Sequence, residues 1–232
     1  MNSNQHDREI TSKIGVVFKN KNLLTQAFTH RSYLNESKQI TSSNERLEFL
    51  GDAILSFVSS YYLYTSYPEL SEGMLTNVRS SIVKTEALAR VAQELSFGSF
   101  LLLSKGEEEG GGRTNPSLLA DCFEAFLGAL FIDQGLPAVE KLLKQHLFPQ
   151  IESVLSKKTY MDAKSRLQEK IQEKEHISPI YRVIKTEGKD HAKTFWIEVI
   201  VGTKVLGTGN GRSKQEAEQR AAENALEKMG KT

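Results

Sequence analysis

The stretch NERLEFLGDAIL, residues 44–55, decides how this chain is read. Wound as a helix at about 100° per residue, it places Glu45, Glu48 and Asp52 within an arc of about 60°. Leu47, Leu50 and Ile54, continued by Phe57 and Tyr61, fall on the opposite side with the spacing of an amphipathic helix. Alone, this pattern describes any helix with three acids on a solvated face. A second segment, LLADCFEAFLGALFI at 118–132, changes its meaning. That segment is apolar nearly all round, so it reads as a buried helix. It nevertheless carries Asp121 and Glu124, three residues apart on one face, beside the small residues Ser117, Ala125 and Gly128. No Lys or Arg lies between Leu118 and Gln134. Two buried carboxylates are costly unless a cation neutralises them, so their partner comes from elsewhere in the fold or is a metal.

Hard oxygen donors with few His or Cys nearby favour Mg²⁺, with Mn²⁺ as a substitute, over zinc. If Glu48 and Asp52 face Asp121 and Glu124, four carboxylates surround one or two divalent ions. Such a constellation activates water and stabilises the charge of phosphodiester cleavage.

The wider composition sets the class. Of 232 residues, 39% are hydrophobic and 25% charged, the balance of a folded globular chain. No apolar run reaches the ~18 residues that span a bilayer. The polar opening MNSNQHDREITSK lacks the apolar stretch of a signal peptide. A single cysteine, Cys122, excludes an internal disulfide framework and fits a reducing cytoplasm. The net charge of +1 conceals a division. Residues 1–156 hold 14 Lys+Arg against 18 Asp+Glu, a net of −4, and residues 157–232 hold 16 against 11, a net of +5. Two domains are expected, the second facing a polyanion.

The first part, 1–156, reads as mainly α. Ser71 is placed to cap a helix running through Met74, Val78 and Ile82. KGEEEGGGRTNPS (105–117) reads as a loop and SVLSKKTYMD (153–162) as the linker. The second part, 162–231, changes period. One helix holds Ala163, Leu167 and Ile171. Strands are expected at Tyr181–Glu187, at Thr194–Val201 with Phe195, Ile197, Val199 and Val201 on one face, and, in short form, at Val205–Thr208. Ser213 caps a last helix with Ala217, Ala221 and Ala225. The order is α-β-β-β-α, an α+β domain.

NERLEFLGDAIL resembles the signature segment of the ribonuclease III family. The blocks THRSYLNE (29–36), SEGMLTNVRSSIV (71–83), KGEEEGGGR (105–113) and NPSLLADCFEAFLGALFIDQG (115–135) resemble that family's in the same order. The tail from about Asp162 to Met229 resembles a double-stranded-RNA-binding domain. The resemblance implies a bacterial-type homodimeric endonuclease that cuts both strands of duplex RNA. Its products would carry 5′-phosphates and short 3′ overhangs, and its substrates would be ribosomal RNA precursors and structured messengers. By position, Glu48, Asp121 and Glu124 match the family's metal ligands. Asp52 matches the acid beside them, and Glu45 and Glu72 match auxiliary acids. Phe49 and Leu50 stand either at the dimer interface or in the helix core.

In the tail, Gln168 and Glu169 resemble the family's first minor-groove contacts and His191 the second. SKQEAEQ (213–219) resembles the phosphate clamp, with Lys214 beside the positive end of a helix dipole. Gln215 departs from the pattern, in which a second lysine follows the first. Arg212 or Arg220 is available to compensate. Trp196, in an alternating strand, reads as packing, His30 as a hydrogen-bonded structural histidine, and Cys122 as a buried small residue. Two other classes remain open: a duplex-RNA-binding regulator that does not cut, and a hydrolase of another phosphodiester.

Overall fold

In a computed structural model, which describes residues 10, 13–156, 163–188 and 193–230, the chain divides into two compact units, Met1–Lys157 and Lys158–Thr232.

The first unit is helical: α1 (Lys21–Ala27), a 3₁₀ turn (Arg31–Asn35), α2 (Glu45–Ser66), α3 (Glu72–Val83), α4 (Thr85–Glu94), α5 (Phe97–Phe100), α6 (Lys105–Glu109), a second 3₁₀ turn (Gly112–Thr114), α7 (Pro116–Gln134), α8 (Leu136–His146) and α9 (Gln150–Ser156). At its centre stands α7, with ten of its 19 residues buried, as an all-round apolar sequence requires. Asn115 starts it by accepting from the Ser117 N–H at 2.9 Å, and Pro116 occupies the first turn. Phe123 and Phe126 pack against Phe97 and Phe28 in a cluster of edge-on and tilted rings.

The signature segment opens α2, which crosses α7 with backbone against backbone. A Cβ added to Gly51 would lie 1.8 Å from the Glu124 carbonyl oxygen, and one added to Gly128 would lie 2.2 Å from that of Leu47. Only glycine fits at either position, and each lies one turn or less from a carboxylate-bearing residue.

Four sequence expectations are corrected. The apolar set of α2 is not one buried face: Leu47 and Ile54 are buried, but Phe57 and Tyr61 are more than half exposed. With Phe49 (82% exposed) and Tyr64 they form a separate outer stripe, so Phe49 is not core packing within this chain. Residues 105–117 are not simply a loop. Ser104 caps α6 by accepting from the Glu107 N–H, and Asn-Pro, read as a breaker, starts α7. The expected linker overlaps α9, which stays helical to Ser156. The third strand of the second unit is twice the expected length.

That second unit comprises α10 (Ala163–Glu175), β1 (Ile180–Glu187), β2 (Thr194–Val201), β3 (Lys204–Gly211) and α11 (Lys214–Gly230). The sheet is antiparallel in the order β1-β2-β3. Ile197, Val199 and Val201 are buried with Leu167, Ile171 and the alanine stripe Ala217, Ala221 and Ala225 of α11. The strand, expected to stop at Thr208, runs on to Gly211, and its glycines at 207, 209 and 211 alternate along β3 because α11 lies on the strand: a Cβ on Gly209 would sit 2.3 Å from the Ala221 nitrogen.

Gly51→Ala and Gly128→Ala are each expected to lower the unfolding free energy by about 1–3 kcal/mol through overpacking, outweighing the gain of up to about 1 kcal/mol in helix propensity. Urea denaturation of the three chains measures this, and unchanged midpoints would contradict the backbone contact.

Candidate metal centre and RNA-binding surface

The α2–α7 crossing brings acids from both helices together. Carboxylate oxygens of Glu48, Asp121 and Glu124 lie within 4.8 Å of one another. Glu48 reaches in from the first turn of α2, and Asp121 and Glu124 lie on the α7 face that Gly51 and Gly128 bring against it. All three are half-buried. Asp52, one turn beyond Glu48, is exposed and outside this tight group, yet close enough for its charge to act on both glutamates.

The electrostatics are those of an uncompensated cluster. Burial, then the charges of Asp52, Asp121 and Glu48, push the Glu124 carboxyl up to about 8. Burial and the neighbouring charges of Asp121, Glu45 and Asp52 also raise Glu48. Burial raises Asp121, and the nearby His30 opposes that rise. Among the described residues, none of these four acids forms an ion pair with Lys or Arg. Half-buried carboxylates that no Lys or Arg neutralises among the described residues, all offering hard oxygens, fit a divalent cation.

Beside the cluster lies a cavity of about 750 Å³ lined by Glu48 and Asp121 together with His30, Arg31, Ser32, Asn35, Asn44 and Glu45. Glu45 sits at its rim, accepting from the Ser43 hydroxyl at 2.9 Å and facing Arg31 at 3.6 Å. Glu72 occupies the exposed first turn of α3, where it accepts from Thr76, and does not line the cavity. Sequence reading missed two contributors. The first is Gly51, whose only signal is its place inside the signature segment. The second is the polar wall from 30 to 44, signalled by the THRSYLNE block.

Cys122 is fully buried, its thiol pushed up by burial and donating to the Ala27 carbonyl.

In the second unit, Gln168 is exposed and Glu169 half-buried on α10. Lys214 and Gln215 are exposed in the first turn of α11. His191 lies outside the described residues. Ser213 caps α11 by accepting from the Glu216 N–H at 3.1 Å, and the Glu216 carboxylate reaches back past the cap to accept from the Arg212 N–H at 2.7 Å. Arg220 is held within the unit, pairing with Glu216 and donating to the Asn210 carbonyl at 2.9 Å. Trp196 lies on the sheet face opposite the buried Ile197, with the Lys185 ammonium 5.2 Å from its ring.

A helical unit with a carboxylate cluster, followed by an α-β-β-β-α unit, has the architecture of a nuclease joined to an RNA-binding module. The comparisons agree. Residues 20–151 match the Ribonuclease-III-like family model and residues 163–229 the double-stranded RNA binding motif. Ribonuclease 3 of Enterococcus faecalis is 49% identical over 227 residues, covering 97% of this chain and 98% of that one. Ribonuclease 3 of Bacillus cytotoxicus is 50% identical over 224 residues, covering 96% and 91%. Among solved structures, the nuclease domain of Ribonuclease III from Campylobacter jejuni, which has a region involved in dimer formation, is 35% identical with a TM-score of 0.57. That match covers 61% of this chain and 95% of the other. The chain belongs to the ribonuclease III family of double-stranded-RNA endoribonucleases. Among the described residues no helix is long and apolar enough to cross a membrane.

The raised Glu124 carboxyl has a signed consequence. The metal-free folded chain holds this proton more tightly than the unfolded chain, whose carboxyl titrates near the ordinary 4.5. The group's contribution is therefore fully present below about pH 4.5 and is lost as pH rises through about 8. In chelator, the melting temperature is expected to fall over this window, and Glu124→Gln, which cannot ionise, should flatten the fall. A variant whose melting temperature tracks the parent at every pH would show that Glu124 is not strained.

Proposed function

We propose that this chain hydrolyses phosphodiester bonds of double-stranded RNA with the help of Mg²⁺, for which Mn²⁺ can substitute. The three-carboxylate cluster, paired with no Lys or Arg among the described residues, in a chain that also carries a double-stranded-RNA-binding motif, carries this reading. Glu48, Asp121 and Glu124 hold the metal. Asp52 lies beside them and would orient water at the site. When bound, the ion supplies a Lewis acid for the phosphoryl oxygens and lowers the pKa of its water. Glu45 and Glu72 are auxiliary acids. The products carry 5′-phosphates and short 3′ overhangs, the substrates are ribosomal RNA precursors and structured messenger RNAs, and the setting is the cytoplasm.

The nuclease domain spans 1–156 and the RNA-binding domain 162–231. In the latter, Gln168 and Glu169 contact one minor groove and His191 the next, while Lys214 and Gln215 meet phosphates at the helix N-terminus. Lys214 has no second lysine beside it, and Arg220 is engaged within the unit. Arg212, whose side chain has no ion-pair partner among the described residues, is the cation left to reinforce it.

Two copies associate through the outer stripe of α2. Phe49, Phe57, Tyr61 and Tyr64 form one strip of exposed aromatic side chains, the kind of apolar patch that marks an interaction surface. A two-fold axis would present one site to each antiparallel strand. Replacing Phe57 and Tyr61 together by Asp removes four aromatic burials from a two-fold interface, about 1.5–3 kcal/mol each, so the dimer should weaken by about 10⁴-fold or more. Sedimentation equilibrium checks this, and an undiminished dimer would move the interface elsewhere.

Cleavage is tested on a labelled RNA duplex beside single-stranded RNA and duplex DNA of the same sequence, with and without Mg²⁺. Cutting of the RNA duplex alone, only with metal, is expected. Glu124→Gln should lower turnover by more than about 10²-fold, the scale of loss already expected for an outer-sphere partner, and leave duplex binding intact. Duplex binding without cutting in either metal would make the chain a regulator.

A further inference from the structure

His30 is built into the cavity wall with unusual definition. Its backbone N–H donates to the Leu102 carbonyl at 3.1 Å, and Leu102 in turn donates to the Phe28 carbonyl at 2.8 Å, so two strand-like rungs fix the residue between α1 and α2. Its ring is fixed as well. The Ser32 N–H points at Nδ1 from 3.3 Å, and a backbone N–H can only donate. The Ser32 hydroxyl oxygen lies 2.9 Å from the same Nδ1. That oxygen already accepts from the Ser104 N–H at 3.0 Å, which leaves its own proton for the imidazole. Both neighbours therefore treat Nδ1 as an acceptor, and the proton of the neutral ring resides on Nε2. Nε2, at the far end of the ring, has no protein partner among the described residues, while His30 lines the same cavity as Asp121 and Glu48.

We propose that His30 is a positioning residue for the carboxylate cluster. Ser32 and Ser104 hold it as the Nε2–H tautomer, and it presents that N–H, directly or through one water, to the Asp121 carboxylate. The inference rests on the metal-binding reading of Glu48, Asp121 and Glu124 and extends it. An N–H donor oriented by a relay of hydrogen bonds fixes the rotamer of a ligating carboxylate and sets which lone pair faces the ion. His30 is also the group whose charge, in the imidazolium form, would lower the Asp121 carboxyl, which places the ring within electrostatic reach of that carboxylate. Capping of the Arg31–Asn35 turn accounts for what Nδ1 does; it leaves Nε2 without a protein partner among the described residues, in a wall shared with Asp121 and Glu48.

The test reads metal binding apart from catalysis. Mg²⁺ and Mn²⁺ are titrated calorimetrically into the RNA-free full chain, into His30→Ala, His30→Gln and Ser32→Ala, and into Glu124→Gln as the control that removes a ligand. RNA-duplex affinity is measured in chelator. His30→Ala is expected to weaken metal binding by about 10-fold or more, the usual loss on removing an outer-sphere partner, with duplex affinity unchanged. His30→Gln, whose amide N–H reaches close to the Nε2 position, should recover most of that loss. Ser32→Ala, which keeps the ring but loosens the tautomer, should fall between. Wild-type metal affinity in His30→Ala and His30→Gln would overturn the proposal. So would weakened duplex affinity at unchanged metal affinity, which would make Nε2 a phosphate contact. If the unaltered chain itself binds neither metal, the metal reading and this proposal fall together. If it binds them and Glu124→Gln does not, a silent His30→Ala removes this proposal alone.

Discussion

Where α2 crosses α7, two helix backbones touch because Gly51 and Gly128 carry no side chains. The approach has a chemical consequence. Glu48 and Asp52 project from one helix, Asp121 and Glu124 from the other, and separation by even a methyl group would spread carboxylate oxygens that now lie within 4.8 Å across the pair. Close packing of this kind is normally stabilising. Here part of its benefit offsets the crowding of like charges, visible in a Glu124 carboxyl pushed up to about 8. The same contact that makes the core continuous also holds the acids in a strained state that a cation would relieve.

The division of charge follows the same logic. An acidic unit repels a polyanion, and a basic one attracts it. Joining the two in one chain lets the basic unit supply affinity, while the proposed metal turns the acidic cluster from a repulsive site into one suited to a phosphate. The second unit repeats the packing device of the first at smaller scale. Alternate glycines on β3 admit the alanine stripe of α11 directly onto the strand, and this seats the capped first turn bearing Lys214.

The acids were legible in the sequence because burial and charge conflicted there. Asp121 and Glu124 sit in a segment too apolar for a surface helix, and no cation accompanies them. The two acid-bearing helices, the helix holding Ala163, Leu167 and Ile171, the three strands, and the helices capped by Ser71 and Ser213 were legible for the ordinary reason that local spacing encodes them. Tertiary packing hid the rest. Gly51 and the β3 glycines gave no sign of what they abut, since a glycine that admits a neighbouring backbone reads like one that breaks an element. The outer stripe of α2 merged in sequence with its buried face because Phe57 and Tyr61 obey the same spacing as Ile54. The role of the wall from 30 to 44 depends on contacts with Leu102 and Ser104, some 70 residues away, which no local pattern records.

Crystals of the full chain grown with Mn²⁺ test the central claim most directly, through anomalous scattering at the manganese edge. A peak bounded by Glu48, Asp121 and Glu124, lost in Glu124→Gln, is the expected result. Saturating Mn²⁺ that leaves this position without a peak, or that produces one only elsewhere, would show that the α2–α7 crossing does not build a metal site.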